Sequence, residues 1–149
     1  MTKGIFLLIN LALAFYNVGT IWAHEVDTFR TWKLLDPTTF AAVQGVHWKK
    51  LPYWVFLPVG LSFIGSIALL WYHPDKIPVW EIWLSFGFQF LSHSLTAAFW
   101  GRWQAKLSKD KLGGASPYLG LILNTHWIRT ALINAYGLML LYMTFQTLS

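Results

Sequence analysis

The sequence predicts an all-α protein: an integral membrane four-helix bundle with a short cytoplasmic amphipathic helix, forming one membrane domain over residues 1–149. Three observations predict it. Hydrophobic residues make up 56% of the chain against 11% charged, and the mean hydropathy is +0.46, values a water-soluble domain of this size rarely carries. Four stretches, about 4–24, 51–72, 79–106 and 117–146, are apolar and long enough to cross a hydrocarbon core of roughly 30 Å as helices. Trp22, Trp32, Trp48, Tyr53, Trp54, Trp71, Tyr72, Trp80, Trp83, Trp100 and Trp103 gather near the ends of these stretches, as an interfacial aromatic belt does. The apolar runs do not alternate with period two, which removes a strand barrel.

In the first stretch Lys3 precedes an apolar run ending at Ala23, the outline of a secretory leader. Asn10 and Asn17 interrupt that run and bulky Ile21 stands two places before Ala23, so the segment is expected to stay as a helix. Asn10, Asn17, Thr20, His24 and Asp27 follow spacings that place them on one helical stripe. Residues 25–50 are too polar to cross. Within them Asp36-Pro37-Thr38-Thr39 reads as a helix start, with Asp36 or Thr38 capping and Pro37 in the first turn. The amphipathic segment after it, about 37–49, puts Phe40, Val43, Val46 and His47 on one face, as a helix lying on the membrane would. His47 then hangs over the cytoplasmic end of the bundle or touches lipid head groups beside Trp48, Lys49 and Lys50.

The second crossing offers only Ser62 and Ser66, and a turn with two prolines, residues 73–78, leads to the third. There Ser85, Gln89, Ser92 and Thr96 form another polar stripe, with His93 one turn from Gln89. The fourth carries His126, Arg129, Thr130 and Asn134. Lipid satisfies none of these groups, so the stripes must turn inward. Much of this polarity, the serines and Thr96 above all, is the ordinary hydrogen-bonding glue of helix interfaces.

Charge sets the orientation. Arg30, Lys33, Lys49, Lys50, Arg102, Lys106, Lys109 and Lys111 occupy two connections, while Lys3 and Lys76 stand on the opposite side. The positive-inside rule therefore puts both termini on the non-cytoplasmic side, in a bacterial inner membrane. Basic loops facing an anionic leaflet account for the net charge of +5, so no nucleic-acid partner is expected. With no cysteine, disulfides, thiolate metal sites and c-type haem attachment are excluded.

Ionisable side chains at membrane depth are costly and mark functional sites. His24, His93, His126 and Arg129 are counted to the same half of the bundle and are expected to converge on one cavity. Arg129 needs a partner, for which Glu25 and Asp27, at the cytoplasmic end of the first helix, are the nearest plausible carboxylates, or else an anionic ligand. Imidazoles from separate helices with a carboxylate, His24, Asp27, His47, His93 and His126, could ligate a non-haem metal such as iron, zinc or copper. Haem, a hydrogen-bonded proton relay and a structural network without any cofactor are the alternatives.

The chain resembles a family. It has an N-terminal helix, then Pro37-Thr38-Thr39-Phe40-Ala41-Ala42-Val43-Gln44 leading into the second helix. Its third helix closes with 95–107 (Leu95-Thr96-Ala97-Ala98-Phe99-Trp100-Gly101-Arg102-Trp103-Gln104-Ala105-Lys106-Leu107), and its fourth contains His126-Trp127-Ile128-Arg129-Thr130. This order is similar to the anthrone oxygenase-like family of small four-helix membrane proteins. The resemblance implies oxygenation of an anthrone to an anthraquinone without an added cofactor, with Thr96, Trp127 and Arg129 as site or core residues. The reading is then a membrane-embedded oxidoreductase acting on a lipophilic aromatic or quinone-like molecule in a cytoplasm-facing cavity. His93, His126 and Arg129 would be catalytic, and Gln89, Thr96, Trp100 and Trp127 would bind substrate. The alternative is a non-enzymatic accessory subunit holding haem, metal or quinone. Its partners are expected to be the lipid bilayer and a lipophilic small molecule, in a homo-oligomer or a larger membrane complex.

Overall fold

The computed structural model describes residues 2–148, and among them every regular element is helical. Four long helices succeed one another: α1, Lys3–Trp32; α2, Pro37–Leu69; α3, residues 79–107; and α4, Pro117–Leu148. Each packs on the next and α4 closes back on α1, so the four form a ring. Three of them, α1, α2 and α4, of 30, 33 and 32 residues, are long and apolar enough to cross a membrane. In α3 the hydropathy is diluted by Glu81, Ser85, Gln89, Ser92, His93, Ser94 and Thr96.

The caps are those the sequence dictates. Thr2 accepts a hydrogen bond from the Ile5 amide at the start of α1. Asp36 caps α2 by accepting from the amides of Thr38 and Thr39, with Pro37 at the first helical position. These bonds hold the exposed Asp36 carboxyl below its usual range, the Thr39 hydroxyl and amide most of all. Ser116 accepts from the Tyr118 amide ahead of Pro117 and donates to Asp110, tying the α3–α4 connection to the start of α4. Gly113, with φ +56°, makes the turn there. A β-carbon on Gly114 would lie 2.7–2.9 Å from the carbonyl oxygens of Trp32, Lys33 and Leu35, so the two connections press directly together. At the other end Lys3 pairs with Asp75.

Two departures from the sequence reading come from one device. Residues 37–49 and 51–72 are not two elements; they form one helix that runs through Pro52 and ends at Leu69. A proline within a helix removes one backbone donor and crowds the preceding turn. Here the turn Pro52–Phe56 widens to π-type, with the Leu57 amide bonding the Pro52 carbonyl, and the helix continues. Pro58 cannot bond the Trp54 carbonyl either, and the Tyr16 hydroxyl of α1 donates to that oxygen at 2.9 Å. The inward face of this helix carries Phe40, Gln44 and half-buried Val43 and His47, whereas Val46 is exposed.

Two further π turns occur, His24–Thr28 in α1 and Thr96–Trp100 in α3. Each adds a residue to a helical turn and rotates the remainder of its helix. That rotation takes Asp27 off the stripe of Asn10, Asn17 and His24, leaves it exposed, and turns Phe29 and Trp32 inward.

The interior is layered. Leu7, Ala14, Leu69, Ile77, Ile82, Tyr136, Leu140 and Met143 form one apolar cluster, and Phe29, Trp32, Phe40, Leu107, Leu119 and Ile122 form a second. Asn17, Ser62, Ser66, Gln89, Ser92, His126 and Thr130 are buried as well, while Phe15, Trp22, Leu61, Ile64, Trp83, Phe90 and Tyr142 are exposed. Polar side chains within and large apolar ones without is the distribution a lipid-facing surface requires.

Candidate functional site

A cavity of about 290 Å³ opens where the three π turns face one another. Asn17, Thr20, Ile21, His24 and Phe29 line it from α1, and Trp48, Leu51, Val55, Phe56 and Val59 from α2. From α3 come Ser92, His93, Thr96, Ala97, Gly101 and Gln104, and from α4 Arg129 and Ile133. The walls are mostly apolar with a few polar groups, the usual make-up of a small-molecule site.

Each histidine is held in a defined way. His24 donates from Nδ1 to the Thr20 carbonyl at 2.8 Å, and His93 donates from Nδ1 to the Gln89 carbonyl at 2.8 Å. A carbonyl only accepts, so in the neutral ring the proton sits on Nδ1 and Nε2 is the free base. The His93 ring also stacks on Phe63 of α2, centroids 4.5 Å apart. His47 accepts from the Gln104 amide at 3.3 Å, with its ring edge-on to Trp32 and 5.8 Å from His24.

His126 behaves differently. It is 1% exposed, and its Nδ1 lies 2.8 Å from Glu25 Oε2, with the rings of Phe29 and Trp100 packed on it. Glu25 also meets Arg30 at 3.6 Å. The carboxylate expected for Arg129 is therefore taken by His126 and Arg30, and Asp27 faces outward, where the Thr31 hydroxyl bonds it. Arg129 has no hydrogen bond or ion pair among the described residues.

The structure thus brings His24, His93, Thr96 and Arg129 to one cavity and leaves other sequence candidates off it. Gln89 is buried beside it, donating to the Ser62 hydroxyl at 3.1 Å. Trp100 is buried on His126 and donates to the Thr125 hydroxyl at 2.9 Å. Trp127 is 59% exposed, because one residue beyond inward-facing His126 is a rotation of about 100°. His47 lines a neighbouring groove with Tyr16, Lys50 and Trp54, which shares Thr20, His24, Leu51 and Val55 with the cavity. Among the described residues no three His, Asp or Glu side chains are arranged to hold a metal ion. The five proposed ligands do not fit one: Asp27 points away, Glu25 holds His126, and His47 stands in the groove.

Sequence reasoning puts Asn17 on an inward stripe and Trp48 in the interfacial belt, and names neither as a site residue. Asn17 is 3% exposed with both amide atoms unpartnered, and the indole Nε1 of Trp48 is buried and unpartnered. With Nε2 of His93 and Nε of Arg129, every helix contributes one cavity-lining side chain with an unsatisfied buried polar atom. Such atoms are uncommon in folded proteins and call for a ligand, an ion or water. No family model, no curated protein and no solved structure matches the chain.

Proposed function

We propose that this chain is an integral membrane four-helix bundle and an oxidoreductase, of the oxygenase-like kind its sequence resembles, acting on a lipophilic aromatic or quinone-like molecule. The observation that carries the reading is the set of unsatisfied polar atoms of Asn17, Trp48, His93 and Arg129 around one cavity, in a bundle whose outer surface is apolar. An aromatic ring would stack among Phe29, Trp48 and Phe56, all of which line the cavity. His93 Nε2 would take a proton from a phenol or an activated carbon, and the fixed charge of Arg129 would hold the developing oxyanion. Dioxygen, soluble in the bilayer, is the oxidant of this reading. The positive loops would face the cytoplasm of a bacterial cell, with both termini on the opposite side.

The test is dioxygen uptake by proteoliposomes given a hydroxylated anthrone or a naphthoquinol, measured against protein-free vesicles. Uptake above the protein-free rate in wild type, lost in His93→Gln, is the expected result. Rates equal to protein-free vesicles, with the aromatic molecule still bound, would turn the reading to a non-enzymatic binding subunit.

A further inference from the structure

We infer that the molecule this cavity takes is an anion: a lipophilic body of one or two fused rings bearing a single carboxylate or phenolate. The inference rests on the cavity being a ligand site and adds the ligand's charge.

Four features argue for it. Arg129 lines the cavity with no counter-charge among the described residues, and no Asp or Glu is part of the cavity wall. The carboxylate the sequence offers it, Glu25, is already engaged by His126 and Arg30. An uncompensated guanidinium inside a bundle is expensive, so the charge that balances it must come with whatever fills the space. The second feature is a match of hydrogen-bonding type. Asn17 Nδ2, Trp48 Nε1 and Arg129 Nε are donors from three helices, all buried and without acceptors. Three N–H groups on cavity-lining residues and a positive charge suit an oxyanion, whereas a neutral ketone offers one oxygen and no charge; the unpartnered acceptors, Asn17 Oδ1 and His93 Nε2, suit a hydroxyl or water beside it.

The third feature is the remaining wall. Ile21, Phe29, Leu51, Val55, Phe56, Val59 and Ile133 take a ring system, and they exclude a strongly hydrated inorganic anion such as phosphate. The fourth is size. About 290 Å³ lies at the small end of ligand pockets, which suits one or two fused rings.

The experiment uses the full chain in nanodiscs of zwitterionic lipid, with calorimetric titrations corrected for protein-free nanodiscs. The probes are 2-naphthoate and its neutral counterpart of the same shape, 2-naphthamide. We expect naphthoate to bind one per chain and at least about tenfold more tightly than the amide, the worth of a charge-assisted hydrogen bond. Arg129→Gln should weaken naphthoate by roughly 10- to 100-fold and move the amide by no more than about threefold. Where Arg129→Gln fails to insert, Trp48→Phe keeps the ring and removes one donor, and should weaken naphthoate alone by about tenfold. A third probe, 2-naphthol, separates the two oxyanions: affinity that climbs from about pH 7 to about pH 10 marks a phenolate site. Naphthoate binding without that climb marks a carboxylate site. Amide binding as tight as naphthoate overturns the anion and leaves the cavity as a ligand site, while no binding of any probe overturns both.

Discussion

Replacing Gly65 by alanine should be among the most damaging single-methyl additions in this protein. A β-carbon there would stand 2.0 Å from Asn10 Oδ1 and 2.9 Å from its Cγ, where a carbon and an oxygen ordinarily approach no closer than about 3.3 Å. Asn10 is 1% exposed, and its amide donates to the Phe6 carbonyl at 2.9 Å, so it cannot swing aside without breaking that bond. Overpacking of this kind costs about 1–3 kcal/mol, and the lost hydrogen bond adds about 1 kcal/mol. Gly65→Ala is therefore expected to destabilise by about 2–4 kcal/mol. Gly60→Ala and Gly87→Ala are the controls. Nothing stands within 4 Å of a β-carbon at either position, and alanine is the better helix former, so both should be neutral or stabilising. Unfolding in mixed micelles, monitored by circular dichroism as the denaturing detergent fraction rises, gives the three free energies. The double variant Asn10→Ala/Gly65→Ala removes the obstacle and should return to the stability of Asn10→Ala alone. A Gly65→Ala protein as stable as Gly60→Ala, or a double variant that recovers nothing, would refute the reasoning.

Tyr16→Phe removes the hydroxyl that bonds the Trp54 carbonyl, an oxygen Pro58 cannot serve, and should cost about 1–3 kcal/mol in the same unfolding assay. Glu25→Ala strips the buried His126 of its partner, whereas Glu25→Gln keeps an acceptor for it; the alanine variant should be the less stable, read by the same titration. The Asp110 carboxyl is held below its usual range by the Ser116 hydroxyl and then the Leu112 amide. The lowered value means the unfolded chain binds the proton more readily. The carboxylate's support for the start of α4 is therefore complete above about pH 4 and is lost as pH falls below it. Hydrogen exchange at Leu112 should rise over that window and be independent of pH there, beyond the intrinsic rate, in Asp110→Asn. Because the chain has no cysteine, single cysteines at Thr147 and Lys109 can be labelled from outside intact cells. Reaction at 147 and none at 109 is expected, and the reverse refutes the orientation.

Much of the site is legible in the sequence because membrane depth makes polarity conspicuous. His24, His93 and Arg129 stand out in apolar runs, and they do share a cavity. What sequence spacing misplaces are the residues beyond a π turn, since a stripe counted at 3.6 residues per turn assumes an unbroken α-helix. Asp27 leaves its stripe for that reason. Pro52 reads as a boundary for a related one: the pattern before and after it belongs to one helix only if a widened turn absorbs the missing donor. Asn17 is on the predicted stripe, seven residues before His24, yet nothing local tells an unpartnered amide from one bonded across an interface. Trp48 sits among lysines, and its indole reads as interfacial until α2 is known to continue through it. His126 and Glu25 are 101 residues apart along the chain, and no periodicity joins them.

Each π turn is equivalent to one residue slipped into an ordinary α-helix, so this cavity is a product of chain length as much as of side chains. Deleting a single residue within His24–Thr28, Pro52–Phe56 or Thr96–Trp100 would restore regular winding and leave the flanking residues facing as they do now, whereas straightening the turn without a deletion would swing everything on one side of it by about 100°. Helix length, hydropathy and loops would barely change, and the side chains re-aimed would be those of the turn itself, among them His24, Val55, Phe56, Thr96 and Ala97 of the cavity wall. The bundle therefore carries three places around one chamber where a residue can be lost or gained while the rest of its helix keeps its facing, and a chain of this architecture can alter what lines the chamber without repacking its helices.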